Sequence, residues 1–252
     1  MTVAAGILAL LTGLAYSGLG VIAVSELSRN RKTRGFSYLG GAFALMAATC
    51  GPHHLVHAEH HLIWGESVTG PMLGALAIGF VPGGIFVLLR IEAAFGGRGD
   101  RFVSGTPLWL AALPWAVAAA IGAIVWEATG DARELNAVSV IANLLLFVNY
   151  LIVGVLVLRT QLARRPGLGG WSVSGLSMGG VFVTCGVAHL VAGLATPADW
   201  HTLLFDVPGV PFSVYFLWVV RGLHRNSLRD WNRRPLVGRA SRQSRPSPWA
   251  TT

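Results

Sequence analysis

The chain has 252 residues, of which 53% are hydrophobic and 12% are charged, and its formal net charge is +8. A soluble domain carries about 25% charged residues, so this composition excludes an ordinary soluble domain and indicates a membrane protein. The positive charge lies in short segments between apolar stretches, which is typical of membrane topology and is no evidence for nucleic-acid binding.

Seven apolar segments follow one another along the chain. Each is close to the roughly 20 residues that a helix needs to cross the hydrocarbon core. Because backbone groups in lipid must be hydrogen-bonded internally, segments of this length are predicted to be helices rather than barrel strands. The predicted fold is an all-α, seven-helix transmembrane domain over residues 1–225, in a multi-pass protein of the plasma membrane. The predicted spans are 3–27, 36–58, 71–95, 107–127, 136–159, 171–195 and 204–223.

Positive residues mark one side of the predicted bundle. They cluster in "SRNRKTR" after span one, "RGDR" after span three, "RTQLARRP" after span five, and beyond span seven. Of the 19 Lys and Arg residues, only Arg133 lies on the opposite side. The positive-inside rule therefore predicts an outside N-terminus and a cytoplasmic C-terminus. The acids on the outer side or near it are Glu59, Glu66, Glu127, Asp131, Glu134, Asp199 and Asp206.

Span two carries the stretch "TCGPHHLVHAEHH", residues 49–61, which contains five histidines and one of the two cysteines. Cys50 and His54 are four residues apart, so on a helix they lie on the same face. His53 and His60 form a neighbouring stripe, for which an interfacial position with solvent or lipid-headgroup partners is expected.

The Cys50–His54 stripe continues outward through His57 and His61 at helical spacing. One interpretation is an entry path, in which these outer ligands pass a cation inward through an acidic vestibule. Asp199 and His201, in the loop after span six, are placed to contribute to that vestibule.

A shift of 135 residues aligns the two halves of the chain without a gap around the cysteines. Spans one to three then correspond to spans five to seven, with span four as a linker. An even number of crossings separates the copies, which predicts a 3+1+3 parallel repeat about an axis along the membrane normal. Its parts are repeat A (1–95), linker helix 107–127 and repeat B (136–225), followed by a basic cytoplasmic tail (226–252) that is predicted to be disordered. The matched residues are Gly35, Ser37, Gly40, Thr49, Cys50, Gly51, His54, Leu55 and Val56 with Gly170, Ser172, Gly175, Thr184, Cys185, Gly186, His189, Leu190 and Val191.

Span six repeats the four-residue spacing of span two with the second cysteine. If the axis brings the two spans together, two thiols and two imidazoles converge near it. The fifteen residues from Gly35 to Cys50 rise about 22 Å along a helix, which places this site in the outer half of a core about 30 Å thick. Such ligands suit Cu(I) or Zn(II), and burying them in lipid without a use would be costly. The predicted metal ligands are Cys50, His54, Cys185 and His189, with His57 and His61 assisting.

The pattern Cys-Gly-x-x-His, present as "CGPHH" (Cys50, His54) and "CGVAH" (Cys185, His189), resembles the ethylene-binding domain of plant and cyanobacterial receptors. That family has three spans per chain and binds copper(I) through a Cys and a His four residues apart in its second helix. The resemblance implies Cu(I) as the ion. Two such motifs in one chain would amount to a fused pseudo-dimer.

Three functions fit these observations. The first is Cu(I) handling, sensing or delivery through a pseudo-symmetric Cys2His2 site. The second is electron transfer by a b-type haem with His54 and His189 as axial ligands, and the third is small-solute transport, because 3+1+3 repeats occur in transporters. A structural disulfide between Cys50 and Cys185, or two unrelated buried thiols, are the alternatives to a site.

The remaining expectations concern chemistry and partners. The sequence has no phosphate loop and no His-Glu-x-x-His motif, so a binding role is favoured over an enzymatic one. The expected partners are the lipid bilayer and a metal ion, with a larger membrane complex or a homo-oligomer compatible with the sequence, and no nucleic acid.

Overall fold

Seven long helices make up the computed structural model, which describes residues 1–130, 136–195 and 199–231. Within these residues the prediction of an all-α chain with seven helices is confirmed. Asp131, Arg133, Glu134 and residues 232–252 of the predicted tail lie outside the described residues. The elements are α1 (Thr2–Arg34), α2 (Tyr38–Leu62), α3 (Gly70–Ala94), β1 (Phe102–Val103), α4 (Leu108–Gly130), α5 (Ala137–Leu168), β2 (Trp171–Ser172), α6 (Val173–Ala195) and α7 (Trp200–Trp231).

Six of the described helices, all except α2, are long and apolar enough to cross a membrane, which indicates a multi-pass membrane protein. α2 has 25 residues, and the five histidines near its end lower its hydropathy. All five are buried within the bundle, so their side chains lie mainly against other protein groups.

Three helices extend beyond the apolar segments that predicted them. The last turns of α1 and α5 include the polar stretches "SRNRKTR" and "RTQLARRP". α7 continues to Trp231 and so includes the first residues of the predicted tail. Hydropathy identifies only the apolar length of a helix. The backbone hydrogen bonding of the helix continues into the polar residues that follow.

The helices pack in a reciprocal pattern. α2 packs against α1 and α7, whereas α6 packs against α5 and α3. Each of these two central helices therefore contacts the helix before it and the helix that follows the other one. Within the described residues α2 and α6 share no extended backbone interface and meet through side chains. α4 lies at the periphery, in contact with α3 and α6.

Two serines cap the central helices in the same way. Ser37 Oγ accepts a hydrogen bond from the Gly40 backbone N–H at 3.1 Å at the start of α2. Ser172 Oγ accepts one from the Gly175 N–H at 2.9 Å at the start of α6. Asp100, which precedes β1, accepts a further bond from Ser172 Oγ at 2.6 Å. These caps satisfy backbone donors that have no partner within the helix, and they define where each helix begins.

Gly51 allows the closest approach of α1 and α2 near the predicted site. A Cβ atom at this position would overlap Ser17 Oγ and lie 2.8 Å from the Ser17 backbone nitrogen. Because a backbone atom cannot move aside as a flexible side chain can, only glycine fits here without separating the helices. By contrast, a Cβ at Gly122 in α4 would meet no atom within 4 Å.

We expect Gly51→Ala to lower the free energy of unfolding by about 1–3 kcal/mol, the usual cost of overpacking. The measurement is equilibrium unfolding of the detergent-solubilised protein. Gly122→Ala is the control and should leave stability equal or slightly higher, because alanine favours a helix over glycine by about 1 kcal/mol. Equal stability of the two variants would contradict the close α1–α2 contact.

Candidate metal centre

The two cysteines meet at the centre of the bundle. Cys50 of α2 and Cys185 of α6 are free thiols, and their Sγ atoms are 3.6 Å apart. In each helix the preceding threonine bonds back to its own helix: Thr49 Oγ1 donates to the Met46 carbonyl at 3.1 Å and Thr184 Oγ1 to the Gly180 carbonyl at 2.8 Å. These hydroxyls therefore have hydrogen-bond partners in their own helices. The polar groups nearest to each thiol are the other thiol and the nearby imidazoles.

His54 completes a group of three potential ligands with the thiols. Cys50 Sγ, Cys185 Sγ and a ring nitrogen of His54 all lie within 4.8 Å of one another. The Nδ1 atom of His54 is buried and has no hydrogen-bond partner among the described residues. A buried polar atom without a partner is costly, so this imidazole is available to a ligand.

His189, which the repeat aligns with His54, belongs to a different group of potential ligands. Its potential ligand atom lies within 4.8 Å of those of His53 and Asp206. The four residues predicted as one symmetric Cys2His2 set are therefore divided between two adjacent groups, Cys50–His54–Cys185 and His53–His189–Asp206.

Asn143 of α5 fixes the proton on His189. Its amide nitrogen donates to Asp206 Oδ2 at 3.1 Å and to the Ser139 carbonyl at 3.0 Å. Its Oδ1 must therefore accept from His189 Nδ1, at 2.7 Å. His189 consequently carries its proton on Nδ1, and its Nε2 is left with a free lone pair.

Asp206 is the carboxylate around which the second group is built. It is 3% exposed, and its Oδ1 lies 2.8 Å from His53 Nδ1 and 3.9 Å from His189 Nδ1. The His53 contact is close without being well aligned for a hydrogen bond. Sequence reasoning assigned Asp206 to the outer face as a topology signal. The signal it missed is that an acid inside a spanning segment usually marks a site with a nearby partner.

His57 and His61 extend from this second group and lie outside the thiol group. His57 Nε2 is 3.1 Å from His53 Nε2, and the rings of His57 and His61 stack with centroids 6.2 Å apart. His61 Nδ1 donates to the Glu66 carbonyl at 2.9 Å. His53, His57 and His61 thus form a column of imidazoles along the final turns of α2. His53 is 7% exposed, so its expected interfacial position is wrong, because Asp206 provides an internal partner.

Two tyrosines support the paired histidines from neighbouring helices. The Tyr16 ring of α1 meets the edge of His54 with centroids 5.8 Å apart, and the Tyr150 ring of α5 meets His189 at 5.4 Å. Both tyrosines are buried. Each imidazole is therefore held in place by an aromatic ring from the helix that precedes its own.

A small cavity of about 50 Å³ adjoins the thiols on the side towards the start of α2 and α6. Its lining includes both cysteines and the two methionines Met46 and Met178, with aromatic and aliphatic side chains making up the rest. Thiol, thioether and imidazole are ligands that soft metal ions prefer.

The spacing of the thiols fits coordination of one ion. A metal bound 2.3 Å from each of two sulfurs would hold them about 3.8 Å apart at a tetrahedral angle and about 4.0 Å apart at the 120° angle of three ligands. The observed 3.6 Å is slightly shorter than both distances. One ion could therefore bridge Cys50 and Cys185 with little movement of the backbone, with His54 as a third ligand.

No family model, curated protein or solved structure matches the chain.

We expect Asn143→Ala to lower the free energy of unfolding by about 1–3 kcal/mol, because it leaves the buried His189 N–H and the Asp206 carboxylate without their shared partner. The measurement is equilibrium unfolding in detergent. Asn149→Ala is the control, since that amide donates to Ser213 Oγ at 2.8 Å in a less buried place. The control should cost about 1 kcal/mol or less. An Asn143 variant as stable as the control would contradict the role given to this network.

Proposed function

We propose that this chain is a seven-span membrane protein that binds one Cu(I) ion through Cys50, Cys185 and His54. The observation that carries the proposal is the 3.6 Å approach of two free thiols from separate helices, with an imidazole nitrogen in the same group. His189 supports the ion from the neighbouring group.

The donor set favours Cu(I) over other ions. Two thiols and an imidazole are soft to borderline ligands, which suit Cu(I), whereas structural Zn(II) almost always takes four. The resemblance of the two Cys-Gly-x-x-His motifs to the ethylene-binding domain favours the same ion. On binding, the thiols would lose their protons, since the thiolate is the ligand.

The 3+1+3 repeat and the seven-span topology are part of the proposal, with α2 as the seventh span. Support comes from the reciprocal packing of α2 and α6, the matching serine caps, and the matching Tyr16–His54 and Tyr150–His189 contacts. The distribution of Lys and Arg favours an outside N-terminus and a cytoplasmic C-terminus in the plasma membrane.

The role that fits best is acquisition of copper from the outer face and its retention or delivery within the membrane. The imidazole column of His53, His57 and His61 leads from the end of α2 towards the thiols, which supports entry from that end. Met46 and Met178 adjoin the thiols on the opposite side and are soft ligands for a departing ion.

The geometry gives less support to the two other functions. A b-type haem between His54 and His189 would need room for a macrocycle, whereas the cavity beside the thiols measures about 50 Å³. For solute transport, no observation among the described residues identifies a solute.

Cys50→Ser and Cys185→Ser should each remove high-affinity Cu(I) binding. The wild type, reduced and solubilised in detergent, should bind one Cu(I) per chain in competition with a chromogenic Cu(I) chelator. Each serine variant should bind at least about 100-fold more weakly, because a hydroxyl is a poor ligand for a soft ion.

The control for these variants is His224→Ala, which removes an imidazole that contacts Thr160 Oγ1 at 2.8 Å in the final part of α7. It should bind Cu(I) as the wild type does. Equal copper content in the wild type and both serine variants would eliminate the proposal.

The two histidines should differ in their effect on Cu(I) affinity. His54→Ala removes a ligand and should weaken binding by about 100-fold or more. His189→Ala removes a supporting group and should weaken it by about tenfold, the lower end of the range for outer-shell partners. The same competition assay measures both. Equal losses would instead favour the symmetric Cys2His2 set that the sequence predicts.

A further inference from the structure

A third group of polar side chains lies at the end of the bundle where α2 leads into α3 and where α7 begins. His60 is on the last turns of α2, Glu66 is in the loop to α3, Asp199 precedes α7, and His201 is in the first turn of α7. None of them belongs to the thiol group or to the group around Asp206. His60 is 6% exposed, so its contacts are with these residues instead of the solvent or lipid headgroups expected for it.

Two carboxylates lie on either side of the His60 ring. His60 Nδ1 is 3.1 Å from Glu66 Oε2. His60 Nε2 faces Asp199 Oδ2 at 3.4 Å. These last two atoms are buried, and neither has a hydrogen-bond partner among the described residues. A ring nitrogen and a carboxylate oxygen thus face each other without a hydrogen bond between them, an arrangement that a bound cation would satisfy.

His201 adds a third ligand from the opposite side of Asp199. His201 Nδ1 donates to Asp199 Oδ1 at 3.1 Å, and ligand atoms of His60, Asp199 and His201 all lie within 4.8 Å of one another. Asp199 is held in turn by its backbone carbonyl, which accepts from Thr202 Oγ1 at 2.9 Å. The three side chains are therefore held close together, and His201 would bind an ion through Nε2, because its Nδ1 carries the proton that it donates to Asp199.

We propose that His60, Asp199 and His201 form a binding site for a borderline divalent cation, Zn(II) or Cu(II). Two imidazoles and a carboxylate are the ligands such ions prefer. Ligands 2.0–2.1 Å from a tetrahedral zinc are about 3.3 Å apart, close to the 3.4 Å between His60 Nε2 and Asp199 Oδ2. Glu66, 3.1 Å from the other nitrogen of His60, lies where a carboxylate commonly orients a metal-bound imidazole.

The exposure of the site differs from that of the thiol centre. The side chains of Asp199 and His201 are 27% and 33% exposed, so an ion can enter from solvent and keep a water as its fourth ligand. The carboxylates of Asp199 and Glu66 together balance the charge of a divalent ion. No residue is shared with the Cu(I) centre, so this inference stands or falls independently of the proposed function.

The test is a Zn(II) titration by calorimetry of the full chain in detergent, on the wild type and on a Cys50→Ser/Cys185→Ser background. Both proteins should bind Zn(II) at this site with equal affinity. Asp199→Asn and His201→Ala should weaken that binding at least about tenfold. Glu66→Gln should weaken it by about tenfold, because it removes only the orienting carboxylate. Its side chain is 53% exposed, so this variant is expected to fold normally.

His224→Ala is the matched control and should bind Zn(II) as the wild type does. In a second arm, electron paramagnetic resonance of the Cu(II)-loaded Cys50→Ser/Cys185→Ser protein should show coupling to two nitrogens, which should fall to one nitrogen when His201→Ala is added. Unchanged Zn(II) affinity in both Asp199→Asn and Glu66→Gln would overturn the site. Loss of Zn(II) binding on the cysteine-free background would overturn it too.

Discussion

The contact between Cys50 Sγ and Cys185 Sγ, 3.6 Å apart, is the interaction on which the functional account depends. It arises because α2 and α6 pack mainly against other helices and face each other only through side chains. Space between them is thereby left for thiols and imidazoles instead of being closed by backbone contact. Glycine at position 51, next to Cys50, allows α1 to approach α2 closely at Ser17.

The second constraint is the burial of Asp206. A carboxylate inside an apolar bundle is costly unless hydrogen-bond donors surround it. Asn143 supplies one, and His53 and His189 lie close by. The contact with Asn143 also sets the tautomer of His189. Stability and site geometry are therefore linked through one network, which joins α2, α5, α6 and α7.

Much of this arrangement could be predicted from sequence. The seven apolar segments predict the helices, and the four-residue spacing of Cys50 and His54 predicts that they share a face. The asymmetry between the halves is harder to predict. The residue equivalent to His53 is Ala188, so the first half has an imidazole where the second has a methyl group. Asp206 contacts His53 from α7, a different helix. Residue spacing along one helix does not predict a contact between two helices.

The tyrosine pair shows a related limit. Tyr16 and Tyr150 occupy matching places beside the two histidines, yet they are separated by 134 residues, whereas the cysteines are separated by 135. A gap-free alignment around the cysteines therefore misses the pair. The sequence places Asp199 and His201 in an outer vestibule, but it does not predict their contact with His60, because His60 and Asp199 are far apart in the chain. That contact depends on how α7 begins beside the end of α2.

X-ray absorption spectroscopy of the Cu(I)-loaded wild type tests the central claim most directly. The account predicts a first coordination shell with two sulfur atoms and at least one nitrogen on a single copper. A shell of nitrogen and oxygen atoms alone would contradict it, because the ion would then be bound away from the two thiols.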